Sequence, residues 1–389
     1  MGATVIALLS NIEANQNEII AAMINQITTF VEDVYVIDFY KNSKIYKATN
    51  NEGIEIVKAK QWNHNKWSSI YRHYRYLVEG CENVILIKTP ILRDNNVQLD
   101  EEFLREISKQ VMKDDTWNMQ YDMMKRLIEK LLFVRACQTK NVYHFMIDPD
   151  EVDFSKVWNF KKYKRYAACR WNNIKYAPIY EWALNNTFVQ PLPKAQDLYY
   201  IASAYNEQRE DYIKHVTEVV NKKFGKRRIG YVKNNQKKGK VDYFNLSDRD
   251  KRITQSMYLY NLMISKYTIV NNSYNTSCFN MIRFMEAVIC NCVPLILKGN
   301  NLEDMKLTFP DIYDIIEERK LVVNPEYVPI RLTKYMEDSH NGSILKKRMT
   351  EEELNEPDVT VCELIKNTDS FKKITDYNKV KKFYDSLLR

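Results

Sequence analysis

The sequence predicts an α/β protein of two Rossmann-like domains facing a central cleft, and three observations carry that expectation. Strand-like and helix-like patterns alternate along both halves of the chain. A proline pair, Pro191 and Pro193, interrupts regular structure near the middle. The length of 389 residues with 45% hydrophobic content suits two cores of about 190 residues each better than one. The expected division is 1–192 for the first domain, 193–375 for the second, and 376–389 for a terminal helix.

The elements follow in order. In the first domain Val5 to Leu9 reads as a strand, Glu18 to Phe30 as a helix, and Val34 to Phe39 and Ile54 to Lys58 as strands. A helix near Ser68 to Glu79 leads to the apolar strand Asn83 to Lys88. Long helices over Asp100 to Met112 and Trp117 to Arg135 then precede a strand from Val142 to Ile147. The second domain repeats the plan: strand Leu198 to Ala202, helix Glu207 to Lys222, strand Arg228 to Val232, helix Gln255 to Ile264, strand Tyr267 to Val270, a second helix, and strand Val293 to Leu297. Leu321 to Asn324 adds a short strand, and Asp376 to Leu388 reads as the terminal helix.

Composition excludes several classes. No run of 18 apolar residues exists to span a bilayer, and Met1 to Leu9 carries no basic leader, so it reads as a first strand and no membrane partner is expected. Seven scattered cysteines without zinc spacing suit reduced thiols in a cytoplasm. Only eight glycines occur, and neither a G-x-G-x-x-G nor a P-loop pattern is found, so a standard dinucleotide or P-loop site is not expected.

The most informative stretch is Ser265 to Gly299, which reads as strand, polar loop, helix and strand. Ser273 and Asn275 lie in the loop, at the carboxyl edge of a parallel sheet, where open α/β folds bind ligands. In the helix, Cys278, Met281, Ile282, Met285, Val288 and Ile289 share one face, while Arg283 and Glu286 sit together on another. A guanidinium holds two phosphate oxygens by forked hydrogen bonds, and a carboxylate accepts both hydroxyls of a ribose, so the pair suits a nucleotide diphosphate sugar. An ordinary i,i+3 ion pair on a solvated helix is the plain alternative.

The run RFMEAVICNCVPLIL resembles the carboxyl-terminal half of GT-B glycosyltransferases, in which a helix bearing an acidic residue precedes a strand of this form. The acidic residue is Glu286 and the strand entry is Val293-Pro294. The usual glycine is replaced by Asn291 or Cys292, and Asn tolerates the left-handed conformation that a helix end needs. Arg283, three residues before the glutamate, resembles the arrangement in the DNA-glucosylating enzymes of tailed bacteriophages. The resemblance implies a GT-B-like fold, a donor site on the second domain, and a terminal helix crossing back to the first. It also implies action in the cytoplasm of an infected bacterial host.

Charge points to the partner. Lys and Arg number 58 against 50 Asp and Glu, a formal +8, and the basic residues cluster. Asn221 to Lys240 contains Lys237, Lys238 and Lys240 in a lysine-rich loop without one acidic residue, which attracts polyanions. Lys60 to Leu77 interleaves Lys66, Arg72 and Arg75 with Trp and Tyr, a pattern that suits nucleic acid. A third run, Lys161 to Arg170, supplies Lys162 and Arg165. Solvated faces and loop tips are the plain reading of all three.

Further donor contacts are expected from Arg209, after the second domain's first strand and at a helix amino terminus, and from Lys233 and Phe279. For catalysis, Asp148 and Asp150 lie just beyond a buried strand of the acceptor-side domain, with Asp148 the first choice for general base. Asp148-Pro149-Asp150 also has the D-x-D form by which GT-A sugar transferases hold a divalent metal. Metal dependence through Asp148 and Asp150 is possible but not expected, no cofactor is required, and no metal ligand set is assigned.

The resulting expectation is a monomeric glycosyltransferase. It moves a sugar from a UDP-sugar, glucose or a pentose such as arabinose, to a hydroxyl-modified pyrimidine in double-stranded phage DNA. A transferase acting on a polysaccharide or protein acceptor, and a non-enzymatic nucleic-acid-binding protein, are the alternatives.

Overall fold

The computed structural model describes residues 4–8, 18–31, 34–38, 44–48, 57–58, 79–87, 140–146, 162–168, 174–203, 229–235, 240–244, 255–270, 279–297, 302–323 and 360–388. The chain forms two compact units, Met1–Ala183 with Tyr377–Arg389, and Leu184–Asp376.

The described strands of the first unit are β1 (Thr4–Leu8), β2 (Val34–Asp38), β3 (Lys44–Ala48), β4 (Val57–Lys58), β5 (Asn83–Ile87), β6 (Asn141–Met146), β7 (Tyr163–Ala167) and β8 (Lys175–Tyr176). Those of the second are β9 (Gln196–Ser203), β10 (Ile229–Asn235), β11 (Lys240–Phe244), β12 (Ser265–Val270), β13 (Val293–Leu297) and β14 (Val322–Val323). The described helices are α1 (Glu18–Phe30), α2 (Glu181–Ala183), α3 (Gln255–Met263), α4 (Met281–Ile289), α5 (Glu303–Thr308), α6 (Pro310–Glu318), α7 (Thr360–Asn367), α8 (Asp369–Thr375) and α9 (Tyr377–Leu387). A π-helical turn, Leu184–Phe188, continues α2.

The first sheet runs β4-β3-β2-β1-β5-β6-β7-β8. β1 pairs in parallel with both β2 and β5, and β5 to β8 continue in parallel. Only β3 and β4 are antiparallel, at one edge. The runs NVILI and NVYHFM are apolar on both faces, as strands covered on both sides must be, and β5 is buried along its whole length. Against this sheet's core, α1 turns Met23, Ile27 and Phe30 inward at helical spacing. Helix α9 packs on α1: Tyr384 stacks on Phe30 at 5.8 Å, and its hydroxyl donates to the Pro178 carbonyl at 3.1 Å. Gln26 Nε2 donates to the same carbonyl at 2.8 Å, so both buried polar side chains are satisfied. Burying such a ring contributes about 1.5–3 kcal/mol.

The second sheet runs β11-β10-β9-β12-β13-β14, parallel apart from β11. Its first strand, β9, lies between β10 and β12. The chain therefore builds outward to one side of β9 and then returns to the other, which places a topological switch point at the carboxyl ends of β9 and β12. The first sheet has the same switch between β1 and β5.

Several elements differ from expectation. KIYKA forms β3, next to the edge strand β4, where lysines at its first and fourth positions obscure the strand pattern, and of the strand expected over Ile54 to Lys58 the described part is Val57–Lys58. The basic run around Arg165 is β7, an inner strand: Tyr163, Tyr166 and Ala167 are buried while Lys164 is exposed. Lys240, expected in the lysine-rich loop, opens β11 opposite Asn235. The helices α5 to α8 were not anticipated. Among them, Asp311 accepts from the Ser370 amide at 2.9 Å and Thr368 caps α8 by accepting from Phe371 at 3.1 Å. The expected helices over 68–79, 100–112, 117–135 and 207–222 lie largely or wholly outside the described residues.

Candidate functional site

Helix α4 follows the loop after β12, so its first turn begins at the carboxyl edge of the second sheet. Asn280 starts it, its side-chain oxygen accepting from the Arg283 amide at 3.1 Å. The far end closes with Asn291 at a φ of 55°, the left-handed region, where the Asn291 amide donates to Val288 and the Cys292 amide to Ala287. That is a two-bond Schellman ending with asparagine in place of glycine. Two lysines complete it. Lys366 Nζ donates to the Ile289 carbonyl at 3.0 Å and to Asn291 Oδ1 at 2.6 Å, and Lys194 Nζ to the Cys290 carbonyl at 3.2 Å. Cations at a helix carboxyl terminus meet the negative end of its dipole. Burial is the larger influence on both ammonium groups and pulls them below the ordinary lysine range.

The helix is not two-faced as the sequence suggested. Met281, Ile282, Phe284, Met285, Glu286, Ala287, Val288 and Ile289 are all buried. Glu286 is 0% exposed, whereas the Arg283 side chain keeps 35% of its surface. Arg283 Nη1 donates to Glu286 Oε2 at 3.1 Å. A carboxylate this deep is costly without a charged partner, and the guanidinium supplies one that also reaches the surface.

A third residue completes the group. The Arg283 guanidinium carbon lies 4.2 Å from the centroid of the Tyr258 ring, on α3, which in turn packs on Tyr199 of β9 at 5.9 Å. Burial works against the arginine's charge but is outweighed by the Glu286 carboxylate and by hydrogen bonds to Tyr258 and Glu286, and the guanidinium stays ionised. Burial pushes the Tyr258 phenol well above its ordinary range, with Arg283 offsetting only part, so the ring remains neutral. The result is a fixed cation, seated on an aromatic face and clasped by a buried carboxylate, in the first turn of a helix at a switch point. The chemistry of such a group suits an anion.

The other expected site residues distribute as follows. Phe279 immediately precedes the helix, but its ring is 2% exposed and packs on Phe284 at 5.7 Å, so it serves the core. Lys233 lies on β10, in register with Ala202 of β9 toward the carboxyl end of the sheet. Lys162 is exposed at the turn entering β7 and Arg165 is half-buried on that strand, in the first unit. Lys240 is at the start of β11. Asp148, Asp150, Arg209, Ser273, Asn275, Lys237, Lys238, Lys66, Arg72 and Arg75 lie outside the described residues. Among the described residues no group of three or more His, Cys, Asp and Glu could hold a metal ion, and no helix is long and apolar enough to cross a membrane. Cys290, Cys292 and Cys362 are free and buried. Burial raises their thiols, Cys362 to about 12, which leaves them unreactive.

Sequence reasoning missed Tyr258, Lys194 and Lys366. Asn280 had a visible signal, an N-cap residue three positions before Arg283. Tyr258 had none, since its contact with Arg283 joins two helices across an intervening strand.

No family model matches the chain, and no curated protein matches it. Solved structures do. The structure is similar to that of T4 phage β-glucosyltransferase in complex with its UDP-glucose substrate, with a TM-score of 0.52 and 14% identity over 99% of each chain. It is also similar to that of the DNA-modifying enzyme β-glucosyltransferase studied with and without uridine diphosphoglucose, with a TM-score of 0.51 and 13% identity over 99% of each chain. The chain has the α/β fold of these GT-B glycosyltransferases.

Proposed function

We propose that this chain is a glycosyltransferase that moves a sugar from a UDP-sugar to a hydroxyl-bearing pyrimidine in double-stranded DNA. The observation that carries the reading is the Arg283 guanidinium, held by Glu286 and Tyr258 at the switch point of a GT-B-like second unit. Arg283 would take the donor diphosphate by charge-assisted hydrogen bonds and stabilise it as it leaves. The similar structures were solved with UDP-glucose, which supports a uridine diphosphate donor; whether the sugar is glucose or a pentose is a matter for the assay below. Glu286 serves this site in either of two ways, by fixing Arg283 or by accepting the ribose hydroxyls. Its complete burial favours the first.

In the reaction the acceptor hydroxyl oxygen attacks the anomeric carbon, the bond from that carbon to the β-phosphate oxygen breaks, and UDP departs. Asp148 is the proposed base that receives the hydroxyl proton, with Asp150 beside it. These two residues also offer the hard oxygen ligands that a divalent cation takes, and activity with and without a chelator separates the two roles. Arg209 and Lys233 are proposed as further diphosphate contacts, and Ser273 and Asn275 as loop contacts to the donor. The DNA would be met by Lys237, Lys238 and Lys240, by Lys66, Arg72 and Arg75, and by Lys162 and Arg165, with the target base turned out of the stack. A monomer acting in the cytoplasm of an infected bacterium completes the reading.

The test is nucleoside mass spectrometry of hydroxymethylated duplex DNA incubated with the protein and a panel of UDP-sugars. One sugar should appear on the modified pyrimidine. Transfer to a polysaccharide or protein with none to DNA would redirect the acceptor, and no transfer from any UDP-sugar would overturn the activity.

A further inference from the structure

We infer that Tyr258 is the positioning residue of the donor site, holding the Arg283 guanidinium flat and aimed so that it discriminates a diphosphate from an uncharged nucleoside. The inference rests on the reading of Arg283 given above. Its evidence is independent of any comparison: a 4.2 Å approach to the ring centroid, a ring that is 6% exposed, and a second ring, Tyr199, behind it.

An arginine on the surface swings through many rotamers, and ordering it on a ligand costs side-chain entropy. Arg283 is restrained in two directions before any ligand arrives. Glu286 fixes the guanidinium laterally through Nη1, and the Tyr258 face fixes the plane. Tyr258 is itself buried on α3, packing on Tyr199 of β9 as well as on Arg283 of α4. The Asn280 cap fixes the backbone from which Arg283 projects. A cation so restrained binds an anion without first losing that freedom, so the effect of Tyr258 should appear in affinity for phosphate-bearing ligands only.

Calorimetric titration with UDP and with uridine tests this on the whole protein. For Tyr258→Leu the UDP affinity should fall about tenfold while uridine affinity holds, the range of a desolvated cation–π contact. Tyr258→Phe, which keeps the face but removes the hydroxyl that hydrogen-bonds Arg283, should lower UDP affinity less than Tyr258→Leu does. Arg283→Ala separates the two levels of the account. If it leaves UDP affinity at the parental level, the reading of Arg283 itself falls. If it lowers UDP affinity while Tyr258→Leu keeps the parental ratio of UDP to uridine, the positioning role alone is overturned. Should Tyr258→Leu fail to fold, nitrogen-15 spectra of the arginine side chains in the parent decide the matter. The Arg283 Nε–H signal, identified by its loss in Arg283→Ala, should be ring-current shifted, and a random-coil position would contradict the proposal.

Discussion

Two glutamates are wholly buried among the described residues, and they are held in opposite ways. Glu286, in the second unit, is 0% exposed and ion-paired at 3.1 Å to an arginine that reaches the surface. Glu181, in the first unit, is also 0% exposed, but its Oε2 accepts from backbone amides, those of Ile179 and Tyr180 at 2.8 and 3.0 Å. Its Oε1 is buried without a hydrogen-bond partner. Burial raises the Glu181 carboxyl to about 7, against the pull of three backbone amides. A buried carboxyl served by neutral donors closes a turn and belongs to the fold. One served by a guanidinium that keeps 35% of its surface links the interior to the surface, which is why we propose Glu286 for the site.

Removing the cation should have the largest effect. Arg283→Ala leaves Glu286 buried without its charged partner, and urea unfolding should report a loss on the order of 3 kcal/mol. A loss under about 0.5 kcal/mol, the range of an ordinary surface substitution, would mean that the pair does not anchor α4.

Next is the pH dependence that Glu181 imposes. Its carboxyl binds a proton more tightly in the folded state than its ordinary value of 4.5 implies, so its contribution to stability is whole below about pH 4.5 and falls away as pH rises toward 7. The melting temperature should drop across that window, by the equivalent of a few kcal/mol at most. Glu181→Gln should flatten the slope and leave UDP affinity unchanged. A slope that persists unchanged in the variant would remove Glu181 as its source.

Glu286→Gln sharpens the comparison further. If the carboxylate acts through Arg283, UDP affinity falls several-fold while uridine affinity is kept; an equal fall for both ligands would show that it touches the ribose. The smallest effect concerns the end of the same helix. Asn291→Ala, in left-handed backbone, should cost about 1–2 kcal/mol, and Asn291→Gly less, by equilibrium unfolding.

Strong local patterns were legible in the sequence. Glu18 to Phe30 and Val293 to Leu297 form the helix and strand that their periodicity predicts, with those boundaries. Asn291 takes the left-handed ending that its side chain permits. Elements dominated by charge were not legible. Lys44–Ala48 and Tyr163–Ala167 each carry two basic residues among five, Lys164 exposed and Arg165 half-buried in the second, so a strand reads as a basic run. In the site, the i,i+3 spacing of Arg283 and Glu286 placed them together, but not the depth of Glu286, because burial depends on how α4 packs against its neighbours. Tyr258 was invisible for the same reason: its contact is made in space between helices, with no spacing in the chain to announce it.

The transfer rate of Arg283→Ala on hydroxymethylated duplex DNA with UDP-glucose, or with whichever UDP-sugar the panel selects, tests the central claim most directly. A diphosphate grip predicts a loss of about a hundredfold or more in kcat/KM with helix content preserved. A parental rate in that variant would contradict it.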